Sequence, residues 1–348
     1  MRNTKIFGLL FFGLLLSMGG KSIAQQSKAV LYMEKIGAEM KSIQEDSWEY
    51  TRQAAHGRSA RKVEVKRKEL INTSKMAMGR VSRMPAFEGN TQFRDSVASF
   101  LNIHYLVLKE DFGKIVNMEE VAEQSYDAME AYMLAKELAN NKLEQAGDMV
   151  EKQYQLFADN NNIKLLDEQS KLTKKLAKSS AVFKYYNEVY LIFFKSYKQE
   201  AYYMQALNTK DLNAMEQNKN ALKTTAEEGL AKLKAMNGYN GDGTLISTAK
   251  NMLEFYKMES TTKLDQLSDY ILNEDKFEKI LKTIDTKPQA SRTKEDIQKY
   301  NETVKELNNK ANNFNKLNQE LNILRSKAID LWNNQSDRFI DNQIPRSR

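Results

Sequence analysis

AVFKYYNEVYLIFFKSYKQEAYYMQAL, residues Ala181–Leu207, carries Phe183, Tyr185, Tyr186, Tyr190, Phe193, Phe194, Tyr197, Tyr202 and Tyr203 within one helix-length stretch. Val182, Tyr186, Val189, Phe193, Met204 and Leu207 keep helical spacing, and the remaining rings fill the other faces. A helix that is apolar on nearly every face has to be covered on every face. Lys184, Glu188, Lys195 and Lys198 recur too often for a bilayer span, where one central charge costs about 3 kcal/mol. The stretch therefore reads as the helix on which the others pack.

Working outward from it, the only prolines are Pro85, Pro288 and Pro345, so long runs are free of the strongest helix breaker. Lys, Glu, Gln, Leu, Ala and Met dominate these runs and favour helix, and strand-like alternation is absent. The sequence predicts an all-α protein, an elongated helical bundle with long coiled-coil-like helices. A first helix is expected over Lys28–His56, stopped by Gly57, and a second to Met84, closed by Pro85. A third is expected to end near Gly113, and Asn117 with Glu120 resembles a capping box opening a fourth. A linking helix over Ile163–Lys178 should lead into the central one, and Thr209 should cap the next. Leu245–Leu272 and a short helix to Ile284 should precede a turn around Pro288. Thr293 with Asp296 should start a final helix whose seam runs from Ile297 through Phe314, Leu317 and Leu321 to Leu331. Its outer faces carry Asn308, Asn309, Asn312, Asn313, Asn318 and Asn322.

Offset by 152 positions, the loop Met84–Asn90 falls on Met236–Asp242 without a gap, Tyr50 on Tyr202, Leu70 on Leu222 and Leu101 on Leu253. This predicts two tandem related helical units beginning near Ala29 and Ala181. The expected domains are a signal peptide over 1–24, a first unit over 25–162, a second over 163–340 and a disordered tail over 341–348.

Arg2 and Lys5, the apolar run Ile6–Leu16 and the small residues Ser22 and Ala24 have the form of an export signal cut between Ala24 and Gln25. Its apolar run is too short for a bilayer core of about 30 Å. Cleavage leaves 324 of the 348 residues, and because Arg2, Lys5 and Lys21 depart without an acid, the formal net charge falls from +7 to +4. No cysteine is present, which excludes a lipid-bearing cysteine and disulfides. No transmembrane segment is expected in the mature chain, and a periplasmic, surface or secreted location follows. The signal pattern, followed by Gln25-Gln26 and long Lys/Asn/Leu-rich helices, resembles uncharacterised exported all-helical envelope and surface proteins of bacteria. That resemblance implies an exported helical protein and assigns no site residues.

Two site candidates emerge. Arg58, Arg61, Lys62, Lys66, Arg67 and Lys68, continued by Lys75, Arg80 and Arg83, meet only Glu64 and Glu69, whereas residues 210–235 are nearly balanced. Such a cationic helix face suits an anionic envelope component or a protein partner. Nucleic acid is not expected, since no aromatic-interleaved motif accompanies the charges. Tyr185, Tyr190, Phe194, Tyr202, Tyr203 and Met204 could instead line a pocket for a small apolar ligand, although core packing is the plainer reading. His56 and His104 lack metal-ligand spacing, and Gly238–Ala249 lacks both end carboxylates of a calcium loop. No catalytic motif occurs, so no enzyme and no cofactor are expected. The sequence points to a non-enzymatic interaction or scaffold protein of unknown partner, with an apolar-ligand carrier or a pore-forming protein as alternatives.

Overall fold

The structure, a computed structural model, describes residues 24–57, 59–165 and 170–346, with 24–27 and 120 described through their backbone alone. The helices are α1 (Ala24–His56), α2 (Ala60–Ser82), α3 (Gln92–Leu106), α4 (Phe112–Ala122), α5 (Tyr126–Asn160), α6 (Lys171–Asn208), α7 (Leu212–Ala235), α8 (Thr244–Thr262), α9 (Leu264–Asp285) and α10 (Lys294–Gln343). A π-turn, Val107–Asp111, joins α3 to α4, and a 3₁₀ turn, Gln289–Ser291, precedes α10. Isolated bridges are the only β pairing among the described residues. The all-α helical bundle is thus as expected. The expected signal lies outside the described residues except for Ala24, with which α1 begins.

The chain divides into two compact units, one running to Glu188 and resuming at Asp337, the other spanning Val189–Ser336. The division falls within α6 and within α10, and not at the Asn160–Asn162 break where the sequence suggests it. The reason is the central helix itself. Its early residues Val182, Phe183 and Tyr186 are core of the first unit, and Phe193, Phe194 and Tyr203 are core of the second. In the first unit α1 packs on α2, α2 on α3, and α3 and α4 on α5. In the second, α7 packs on α8 and both pack on α9.

Several helix ends follow side-chain chemistry. Ser125 Oγ accepts from Ala128 N at 3.1 Å and caps α5, while Asn117 lies inside α4. Asp211, not Thr209, caps α7 by accepting from Ala214 N at 3.0 Å. At the start of α10, Thr293 Oγ1 accepts from Asp296 N at 3.1 Å and Thr293 N donates to Asp296 Oδ2 at 3.0 Å, the reciprocal box expected there. The expected linking helix over Ile163–Lys178 is instead the start of α6, from Lys171 onward.

The two glycine-bearing loops are built alike. Phe87 and Asn90 exchange backbone bonds of 2.9 Å around Glu88 (φ 50°) and Gly89 (φ 82°). Asp242 N donates to Tyr239 O at 2.9 Å around Asn240 (φ 49°) and Gly241 (φ 85°). Positive φ at both central positions is the type I′ turn. Asn90 Oδ1 then accepts from Gln92 N at 2.8 Å, and Asp242 Oδ1 from Thr244 N at 2.9 Å, each starting the next helix. Every pair here is separated by the offset of 152 positions read in the sequence.

The α10 seam drifts. Leu317 and Leu321 are buried, but Trp332 is buried where Leu331 is expected, and Ile297 is exposed. From Ile340 to Arg346, the last described residue, the chain stays packed where a disordered tail is expected. Phe339, Ile340 and Ile344 are buried, Asp341 bonds His56 Nδ1 at 2.8 Å, and Arg346 pairs with Asp341 at 2.5 Å. Apolar residues at those spacings hold the last turn down.

Candidate functional site

On α2, the residues alternate between the bundle and solvent with helical period. Leu70, Ser74, Ala77 and Val81 face inward. Arg61, Lys62, Lys68 and Lys75 are exposed, with Val65 and Met76 exposed among them. Lys66 pairs with Glu69 at 2.6 Å and Lys68 with Glu64 at 3.7 Å, which tempers their charge. Arg80 is bidentate to Glu39 at 2.7 Å on both arms. Arg58 lies outside the described residues.

Arg67 departs from the surface reading. It is buried, forks onto both oxygens of Glu64 at 2.7 Å, and donates through Nη1 to the Leu108 carbonyl at 2.5 Å. Leu108 lies in the π-turn, where the widened ring disturbs the regular backbone bonding. The guanidinium holds the Glu64 carboxyl below its ordinary range. Charge counting along the sequence could not separate this structural cation from its solvated neighbours. The spacing could, since Arg67, Leu70, Ser74 and Ala77 follow steps of three and four.

At the positions 152 residues on, α7 carries Asn213 for Arg61, Ala214 for Lys62, Asn220 for Lys68 and Glu227 for Lys75. Both helices lead into equivalent turns. The cationic stripe on α2 is therefore no requirement of the helix it occupies.

Most of the aromatic candidates are taken up by packing within the units. In the second unit Phe193 meets Trp332 with ring centroids 4.1 Å apart, and Tyr190 stacks on Phe194 at 5.2 Å. Tyr203 Oη donates to the Leu264 carbonyl at 2.8 Å, which satisfies a buried hydroxyl. Tyr202 and Met204 are half-buried. In the first unit the half-buried Tyr185 meets Phe339 at 5.8 Å. The buried rings Tyr190, Phe193, Phe194 and Tyr203 serve as core, each ring pair adding about 0.5–1.5 kcal/mol beyond area burial.

Two buried charge clusters escape a reading by charge pattern. In the second unit Arg325 bridges Glu200 and Glu259, and all three side chains are almost wholly removed from solvent. Burial raises the Glu259 carboxyl to about 8, the nearby Glu200 adding and Arg325 opposing, and burial raises Glu200 as well. One guanidinium balances one carboxylate, so the other is held by protonation. The signal was present: Glu200 stands in the buried stripe Phe193, Ser196, Tyr203, Leu207, where an apolar residue belongs. In the first unit the buried Lys136 lies over the Tyr132 ring at 4.2 Å, and burial lowers its ammonium to about 7 while raising Glu119.

Among the described residues no helix is long and apolar enough to cross a membrane, and no group of acids and histidines could hold a metal ion. Comparison with protein-family models, with curated proteins and with solved structures gives no match.

Proposed function

We propose that the chain is an exported, non-enzymatic helical protein that binds an anionic component of a bacterial envelope or surface through the outer face of α2. The observation that carries this reading is the exposed set Arg61, Lys62, Lys68 and Lys75, interspersed with Val65 and Met76, which the corresponding face of α7 lacks. Cations supply long-range attraction, and the two exposed apolar side chains supply burial once contact is made. Export rests on the N-terminal pattern of Arg2, Lys5, Ile6–Leu16 and Ala24. We read the chain as two related helical units, a reading supported by the paired I′ turns and by α1 and α6 ending at positions separated by the same offset. One unit then carries the binding face, and the other is free to diverge.

The test is sedimentation with vesicles of phosphatidylglycerol and phosphatidylcholine at low salt. The quadruple variant R61E/K62E/K68E/K75E should lose retention, and wild-type retention should fall as salt rises, with a Debye length of about 10 Å at 0.1 M. Equal retention of variant and wild type would remove the proposal.

A further inference from the structure

On the outer face of α5, Leu134, Leu138 and Met149 are each more than half exposed, and Leu156 continues their line. Helical geometry puts the four in a band about 60° wide and about 33 Å long. A continuous exposed apolar band of this kind marks a protein contact, where single exposed side chains do not. Along one flank of the band, Glu130, Glu137, Glu144 and Glu151 recur every seven residues with Asp148 among them, all exposed. Among the described residues Glu137, Glu144, Asp148 and Glu151 pair with no cation, and Lys142 on the other flank is turned to Asp111 at 2.7 Å.

The outer face of α2 is the complement. Its exposed Val65 and Met76 stand eleven positions apart, as do Leu138 and Met149 on α5. Arg61, Lys68 and Lys75 are exposed along one flank and recur every seven residues, the period of the acidic row. Viewed from the N-terminus of each helix, the charged row lies on the same side of its apolar band. Two such rows face one another only when the helices run antiparallel. One antiparallel register then serves both chemistries. With Val65 against Met149 and Met76 against Leu138, the cations Arg61, Lys68 and Lys75 come within two positions of Glu151, Glu144 and Glu137 in turn. Such matching of opposite charge selects a partner and fixes its register. α3 packs on both helices and their outer faces stay exposed, so the two faces do not meet within one chain.

We propose that the chain associates with a second copy of itself, the outer face of α2 on one copy docking antiparallel on the outer face of α5 on the other. The contact is heterologous, so a pair keeps one free face of each kind and association continues past it. The test is sedimentation velocity on the full chain at low salt. The average mass should rise with concentration to at least twice the monomer and fall back as salt is raised. E137K/E144K/D148K/E151K, changed only at exposed α5 positions, should stay monomeric, and so should R61E/K62E/K68E/K75E. An equimolar mixture of the two variants should associate again, since each supplies the charge that the other reverses, and recovery in the mixture shows that both are folded. Wild type monomeric at every concentration, an α5 variant that associates like wild type, or a mixture that stays monomeric would overturn the proposal. The inference shares the α2 face with the proposed function and goes beyond it. The α5 variant leaves that face intact, so its retention on anionic vesicles separates failure of one from failure of the other.

Discussion

Arg67 and Arg61 share one helix and have opposite fates, and the difference lies in what each loses on truncation. Arg67→Ala would take the buried donor from the Leu108 carbonyl and leave Glu64 with Lys68 alone. Denaturant unfolding should show a loss of about 2–3 kcal/mol. Arg61→Ala, at an exposed site, should stay within about 0.5 kcal/mol of wild type. Equal effects would mean that Arg67 is solvated after all. The same scale shows why the cationic face was legible in the sequence but its membership was not. Composition registers charge, whereas burial depends on which carbonyl a neighbouring helix offers, and the π-turn that offers Leu108 leaves no periodic trace.

Among the elements, the turns were the most legible and the helix joints the least. Gly89 and Gly241 mark the two loops directly, because glycine takes positive φ without cost. The joints at Val107–Asp111 and Lys263 carry no proline or glycine breaker at the joint, and tertiary packing sets them. The turns also yield a prediction. Replacing Glu88 with Asn, the residue found at the corresponding position 240, should relieve backbone strain and stabilise the first unit by about 1 kcal/mol, measured by chemical denaturation. A variant no more stable than wild type would show that the apex backbone carries no such strain.

Across the whole molecule, the two units carry buried ionisable groups whose linkage to pH has opposite sign. His104, in the first, is buried, shares a 2.8 Å hydrogen bond through Nδ1 with Ser74, and is lowered by burial from 6.5 to about 3. Between those values the unfolded chain binds a proton that the folded one refuses, so this group's stability contribution is lost as pH falls from about 6.5 toward 3. Glu259, in the second, is raised from 4.5 to about 8. Between those values the folded chain keeps a proton that the unfolded one releases, so stability falls as pH rises through that window. Net charge cannot reveal this, since it counts Glu259 like any solvated acid and leaves histidine out. The contrast is checked by hydrogen exchange with mass spectrometry at pH 5 and pH 8, corrected for intrinsic exchange. Glu259→Gln, the neutral isostere of the protonated acid, should protect α8 amides much more than wild type at pH 8 and only slightly more at pH 5. Each kcal/mol gained at pH 8 should raise the melting temperature by about 2–4 °C. His104→Gln should flatten the acid loss in α3 and leave α8 unmoved. If Glu259→Gln shifts protection equally at both pH values, the carboxyl is not held protonated by its surroundings, and the Glu200–Arg325–Glu259 cluster is an ordinary ion pair with a spare acid.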